Sequence, residues 1–240
     1  MKLKKAAILI LTVSFTMIPM FTFAYRSKDY SGSSSSTTTK TTVGVVGSGS
    51  AGTSVPTTDT TVHVSASGAI VSTTGTTTDK TGTVIGLVVD TKTSDGKTIT
   101  SNKKGGVTIG NLSIHFADGI AETGGLPTDI VDKINKLNHG GSIKDVLGSD
   151  IKTDLTCFEK FGNTRAVIVY DATTELTHTA TELVLHLDVK PGMELAAVYY
   201  DNNTGRWEYV PVVIDLASST VKVMVPGSCT LQLVKKASPK

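Results

Sequence analysis

Residues 194–215, ELAAVYYDNNTGRWEYVPVVID, followed by TVKVMVPGSCTLQLV at 220–234, decide how the chain folds. Asn202-Asn203-Thr204-Gly205 is a turn signal between two apolar runs, the pattern of a β-hairpin. Val221, Val223 and Val225 then share one face with Lys222 outward, and Cys229, Leu231 and Leu233 repeat the period of two. That period belongs to strands with one buried side.

The same pattern extends toward the N-terminus. Leu183, Leu185 and Leu187 alternate with Glu182, Val184 and His186, and residues 166–170 are an apolar run. Further upstream, Val62, Val64 and Ala66 predict an inward aliphatic face, and TVIGLVVD at 83–90 a more central strand. Ser94-Asp95-Gly96-Lys97 is a tight-turn signal, because Asp-Gly tolerates positive φ. Val107 and Ile109 have the opposite parity to Leu112, Ile114 and Phe116, which predicts a bulge near Gly110-Asn111. One segment breaks the pattern. LPTDIVDKINKLNH at 126–139 puts Ile130, Val131, Ile134 and Leu137 on one helical face, with Asp129 and Asp132 early and Lys133 and Lys136 late. Gly140-Gly141 ends it and Ser142 caps a second, shorter turn. Strands at regular intervals separated by turn signals predict a mainly β chain, an antiparallel β-sandwich with a short helical insert. The folded part is expected over 62–236, as one domain or as subdomains 62–122 and 151–236 joined by the insert at 126–148.

The N-terminus carries an address. MKLKKAAILILTVSFTMIPMFTFA at 1–24 has a lysine-rich start, an apolar stretch and a small-residue end, the features of a secretory signal peptide. Removing its three lysines leaves 20 basic against 21 acidic residues in the mature chain. That balance excludes the basic stripe of a nucleic-acid binder and a polybasic membrane patch. No membrane span is expected after cleavage. Aromatic residues make up only 5% of the chain, a thin supply for base stacking. Residues 25–61 are expected to be a disordered Ser/Thr-rich stalk, since 18 of the 32 residues from Ser31 to Val62 are Ser or Thr with no periodic apolar face. Within it Gly47, Gly49 and Gly52 match a dinucleotide-binding fingerprint, but TSVPTTDTT follows where that chemistry needs a helix N-terminus. Low complexity accounts for the match.

Export sets the expectation for the two cysteines. In an oxidising compartment, Cys157 and Cys229 allow a single intramolecular disulfide, with two separate buried thiols as the alternative. No catalytic constellation is visible. His63, His115, His139, His178 and His186 form no HExxH or similar ligand spacing, although a sheet surface can gather two of them, and no GxSxG elbow is present. Asp118, Glu122, Asp171 and Glu175 lie in expected loops. The expectation is a chain with no metal and no cofactor, and not an enzyme.

A resemblance adds to this. The hairpin region, through Tyr199, Tyr200, Asp201, Thr204, Gly205, Trp207 and Pro211, resembles the closing hairpins of β-sandwich modules in secreted and cell-surface proteins of Gram-positive bacteria. GGVTIGNLSIHFADG at 105–119 with LPTDIVDKINKLNHG at 126–140 is similar to small secreted proteins of clostridia. The resemblance implies immunoglobulin-like architecture and an extracellular role, with no catalytic residues to carry over. The resulting expectation is a secreted, non-enzymatic protein of the cell envelope or extracellular space that contacts an extracellular protein or a cell-wall polysaccharide. As an alternative, a carbohydrate-binding module would use Trp207, Tyr209, Tyr199 and Tyr200 as stacking residues, provided their face is open.

Overall fold

A computed structural model describes residues 56–65, 67–102, 104–117 and 122–237. The leader at 1–24, the Gly47/Gly49/Gly52 pattern and the stalk up to residue 55 lie outside the described residues. Seven strands come first: β1 Thr61–Val64, β2 Ile70–Thr78, β3 Val84–Val89, β4 Thr91–Lys92, β5 Thr98–Ser101, β6 Gly106–Ile109 and β7 Leu112–Phe116. Helices α1 Thr128–Asn138 and α2 Ile143–Leu147 follow. The remaining strands are β8 Phe158–Asp171, β9 Thr174–Glu175, β10 Thr181–Leu187, β11 Leu195–Asp201, β12 Arg206–Asp215, β13 Thr220–Val225 and β14 Cys229–Lys236.

Among the described residues these fourteen strands belong to one antiparallel sheet, in the order β1-β2-β3-β10-β13-β12-β11-β14-β8-β7-β6-β5-β4, with β9 beside β8. Strands from before and after the helical insert are therefore hydrogen-bonded neighbours, through β3 with β10 and β7 with β8. Two features bend this path. Residues 206–211 of β12 pair with β11 and residues 212–215 pair with β13. The change of partner falls at Pro211, which has no N–H to give to a ladder. At the other bend Asp90 takes a positive φ of 59° and passes the chain from β3 into β4, at the far end of the strand order. As a result β3 contacts β5 and β6. One apolar core gathers Leu87, Leu185 and Val223 with Ile99, Ile114, Val167 and Leu231.

A second cluster lies on the opposite face of β11, β12 and β14, where the helices sit. Ile130, Ile134 and Leu137 of α1 and Ile143 and Leu147 of α2 pack there against Ala196, Val198, Tyr200, Trp207 and Val234. The helices form because these apolar residues recur at helical spacing, with Asp129 in the first turn of α1 and Lys136 in the last. Gly140 takes φ +98° at the end of α1, and Ser142 accepts the Asp145 N–H at 3.1 Å to cap α2.

Two local expectations are corrected. The parity change at Gly110-Asn111 is a two-residue hairpin rather than a bulge: Ile109 pairs with Leu112 and Val107 with Ile114 across it, with Gly110 at φ +63°. Val62 and Val64 do not face inward onto a core. They are 61% and 70% exposed beside Ile70 at 72%, because β1 ends the sheet beyond the strands that cover the rest of that face.

Candidate functional site

The four aromatic candidates do not form a platform. Strand alternation in the β11–β12 hairpin splits them, with Tyr200 opposite Trp207 on one face and Tyr199 opposite Glu208 on the other. Trp207 and Tyr200 are each 4% exposed, tilted against one another at 5.6 Å between ring centroids and sealed by α1 and α2. Tyr209 is half-buried edge-on to Phe158 at 6.0 Å. Tyr199 packs against the main core and donates its hydroxyl to Glu208 at 2.8 Å, and burial first, then Glu208, pushes its phenol up. The expectation of a stacking surface on Tyr199, Tyr200, Trp207 and Tyr209 is thus corrected. Sequence parity finds which residues share a face; it cannot say that a helix lies over it.

The disulfide is corrected too. Cys157 is exposed, Cys229 is buried and both are free thiols. The β8–β14 ladder pairs Cys229 with Val167 at one end and Lys236 with Phe158, the residue after Cys157, at the other. Strand rise separates the two backbones by about 20 Å, whereas a bridge needs Cα atoms within about 7 Å. Burial, with Asp201 adding to it, pushes the Cys229 thiol up.

Three features remain. The first is a groove of about 470 Å³ beside β8. It exists because β8 is far longer than β7: pairing with β7 covers only 167–171, and residues 158–165 have β14 on one side and no strand on the other among the described residues. The open side is walled by Asp79, Thr81 and Thr83 of the β2–β3 turn and by Gly140–Ser142 at the α1–α2 junction. Phe158, Phe161, Glu159, Lys160 and Lys235 complete it. Asp79 is 6% exposed. Its Oδ1 accepts the Thr81 N–H at 2.8 Å, the Thr81 hydroxyl at 2.6 Å and the Thr83 N–H at 2.9 Å, while Oδ2 is buried with no hydrogen-bond partner.

Behind this wall lies a buried charge group that sequence reasoning missed. Arg165 is buried in β8 and pairs with Glu122 at 3.0 Å, and its Nε has no partner. Desolvation lowers its pKa, and the charges of Glu122 and Asp79 oppose that. The polar run Asn163-Thr164-Arg165 ahead of an apolar strand segment was the only signal.

The second feature is a histidine pair. His63 of β1 and His186 of β10 stack with centroids 4.1 Å apart and planes 30° apart. The position between them is bare: Gly86 is the direct β3 neighbour of His186, and a Cβ there would meet Thr73 Cβ and Thr76 Oγ1 at 2.9 Å. His63 Nε2 hydrogen-bonds Thr73 Oγ1 at 2.8 Å, and His186 Nδ1 is buried without a partner. Burial lowers the pKa of both rings, and the charge of His63 lowers that of His186 further against the opposing effects of Ser219 and Asp188. Among the described residues no group of three or more His, Cys, Asp or Glu is placed to hold a metal ion. His115 instead stacks on Tyr170 at 5.8 Å.

The third feature is the free edge. Among the described residues β1 pairs only with β2, so its outer N–H and C=O groups are unfilled by any strand. Comparison of the chain with protein-family models, with curated proteins and with solved structures finds no match in any of the three. No described helix is long and apolar enough to cross a membrane.

Proposed function

We propose that the chain is a secreted, non-enzymatic β-sandwich of immunoglobulin-like type, of the kind found on Gram-positive surfaces, whose work is to contact an extracellular protein through the β1 edge. What supports the architecture is the sharing of one core by strands on both sides of the bends at Asp90 and Pro211. What supports export is the leader at 1–24.

The observation that carries the contact role is the difference between the two ends of the sheet. A free strand edge invites pairing, and proteins blunt such edges by shortening them or placing charge there. The β4 end is blunted both ways: it is two residues long, carries Lys92 and is followed by the Asp95–Lys97 ion pair at 2.7 Å. The β1 end is not. Its sequence is TVHV, with no charged residue, and Val62, Val64 and Ile70 form an exposed aliphatic strip. The occupant this edge fits is an extended, uncharged strand of a partner protein with alternating aliphatic residues, added by main-chain pairing.

The test is retention of the exported protein on intact cell envelopes over a range of salt, beside the Val62→Lys/Val64→Lys double variant. The variant should lose the retained fraction with its thermal midpoint unchanged. Equal retention of both proteins, or no retention of the parent at any salt, refutes the proposal.

A further inference from the structure

On the reading of β1 as a contact edge, we infer that the strand it receives is β1 of a second copy of this chain, paired antiparallel about a two-fold axis at His63.

Hydrogen-bond alternation sets the geometry. Along β1, His63 pairs with Val71 of β2, and the Ser65 N–H goes inward to the Ala69 carbonyl at 2.8 Å. Inward main-chain groups recur at every second residue of an antiparallel ladder, so those of Val62 and Val64 point out of the sheet. An axis at His63 places Val62 opposite Val64 of the second copy, and Val64 opposite its Val62. Each pair then exchanges both of its main-chain hydrogen bonds. Residues directly opposite one another share a face. The two aliphatic strips therefore meet, each widened by Ile70, the β2 neighbour of Val64. An axis at Val62 would instead set Val64 against Thr60.

Charge argues for a like partner. A two-fold contact brings side chains near their own counterparts, so a charge close to the axis is repelled by itself. Residues 60–65 contain no Asp, Glu, Lys or Arg. The β4 end of the sheet carries Lys92, which would meet its own counterpart. With 20 basic and 21 acidic residues after removal of the leader, two copies approach without strong repulsion.

Preorganisation argues for β1 itself as the occupant. The strand is held beyond both ends. Thr57 donates its N–H to the Thr76 carbonyl at 3.1 Å and accepts the Gly75 N–H at 2.9 Å, and the Ser65 hydroxyl donates to the Ala217 carbonyl at 2.6 Å. An edge already extended loses little entropy on pairing. The contact is small: covering Val62, Val64 and Ile70 on both copies removes less than about 1,000 Å², the class of weak, reversible interfaces.

The experiment is sedimentation equilibrium of the exported protein at about pH 7.5, from about 10 μM to about 1 mM, the range of weak affinities. The parent should pass from monomer toward dimer across this range. Val62→Lys/Val64→Lys should remain a monomer with its thermal midpoint unchanged. The register is read by cross-linking in a Cys157→Ser background, which removes the exposed native thiol. Cα atoms opposite one another at about 5.5 Å suit a disulfide. A mixture of Val62→Cys and Val64→Cys copies should therefore form a disulfide dimer at least fivefold faster than either variant alone. Three outcomes overturn the inference: a parent that stays monomeric to about 1 mM, a double variant that dimerises equally, or a single cysteine variant that cross-links as fast as the mixture. A monomeric parent that is retained on envelopes and released by the lysine pair sinks self-pairing and leaves the contact role standing. A dimer whose parent and variant are retained equally does the reverse.

Discussion

Acidification should loosen β1 through the stacked imidazoles. Two unit charges at the observed 4.1 Å repel by about 4 kcal/mol at an effective dielectric of about 20. Both rings are partly open to solvent, so screening brings the net effect to about 1–2 kcal/mol. The direction follows from linkage. Both pKa values are lowered in the fold, so near pH 6 the unfolded chain binds more protons than the native one. Stability from the neutral pair is complete above the ordinary histidine value and is lost as pH falls through the depressed native values. Asp188 opposes this at His186, and Lys222 is occupied with Glu182 at 3.6 Å on the same face.

The perturbation that isolates the effect is His63→Phe, which keeps a ring against His186 and removes one charge. Thermal unfolding of parent and variant at about pH 7.5 and about pH 5 gives a double difference in which every other titrating group cancels. The parent should lose more than the variant by about 1–2 kcal/mol, or a few degrees in midpoint for a domain of this size. Hydrogen exchange should place the loss in β1 and β2. Identical pH slopes for the two proteins would show that the rings do not interact in solution and would refute the reasoning.

Other consequences can be measured as directly. Trp207, sealed beneath α1 and α2, should emit at short wavelength, resist iodide quenching and cost about 3–5 kcal/mol when changed to alanine. A maleimide should label Cys157 in the native protein and Cys229 only after unfolding, with no change in mobility on reduction, because one thiol is exposed and the other buried. Glu122→Gln leaves Arg165 charged and buried and should cost about 3–5 kcal/mol, whereas Arg165→Met with Glu122→Leu should recover most of that loss in denaturant unfolding. Ser142→Ala should cost about 1 kcal/mol by removing the α2 cap.

What could be read in the chain was local. The β11–β12 hairpin follows from Asn202-Asn203-Thr204-Gly205 between two apolar runs, and α1 follows from its apolar spacing, because turns and helices are settled within a few residues. The parity change at Gly110-Asn111 was legible as an irregularity and misassigned, since a bulge and a two-residue turn leave the same trace. What could not be read depends on partners distant in sequence. His63 and His186 meet only because β10 enters the sheet next to β3. Arg165 finds Glu122 across the insert, and among the described residues the β8 groove lies where the pairing with β7 stops. Cys157 and Cys229 looked like a pair because two thiols in an exported chain allow a single bridge, and the sequence does not show the ladder that holds them apart.

The helical insert explains why the aromatic residues are a poor guide to function here. One outer face of the sheet carries Ala196, Val198, Tyr200, Trp207 and Val234, and the insert covers it. The corresponding face of β10, β12 and β13 has Glu182 and His186, Val213, and Lys222 and Met224, with Val213 and Met224 exposed. Large aromatics therefore mark where the chain covers itself, and small aliphatics, threonines and histidines mark where it does not. A sheet that hides its only tryptophan while leaving Val62, Val64 and Ile70 bare groups three of its exposed aliphatic side chains at an uncharged edge, and these are the side chains that the proposed pairing at β1 would bury.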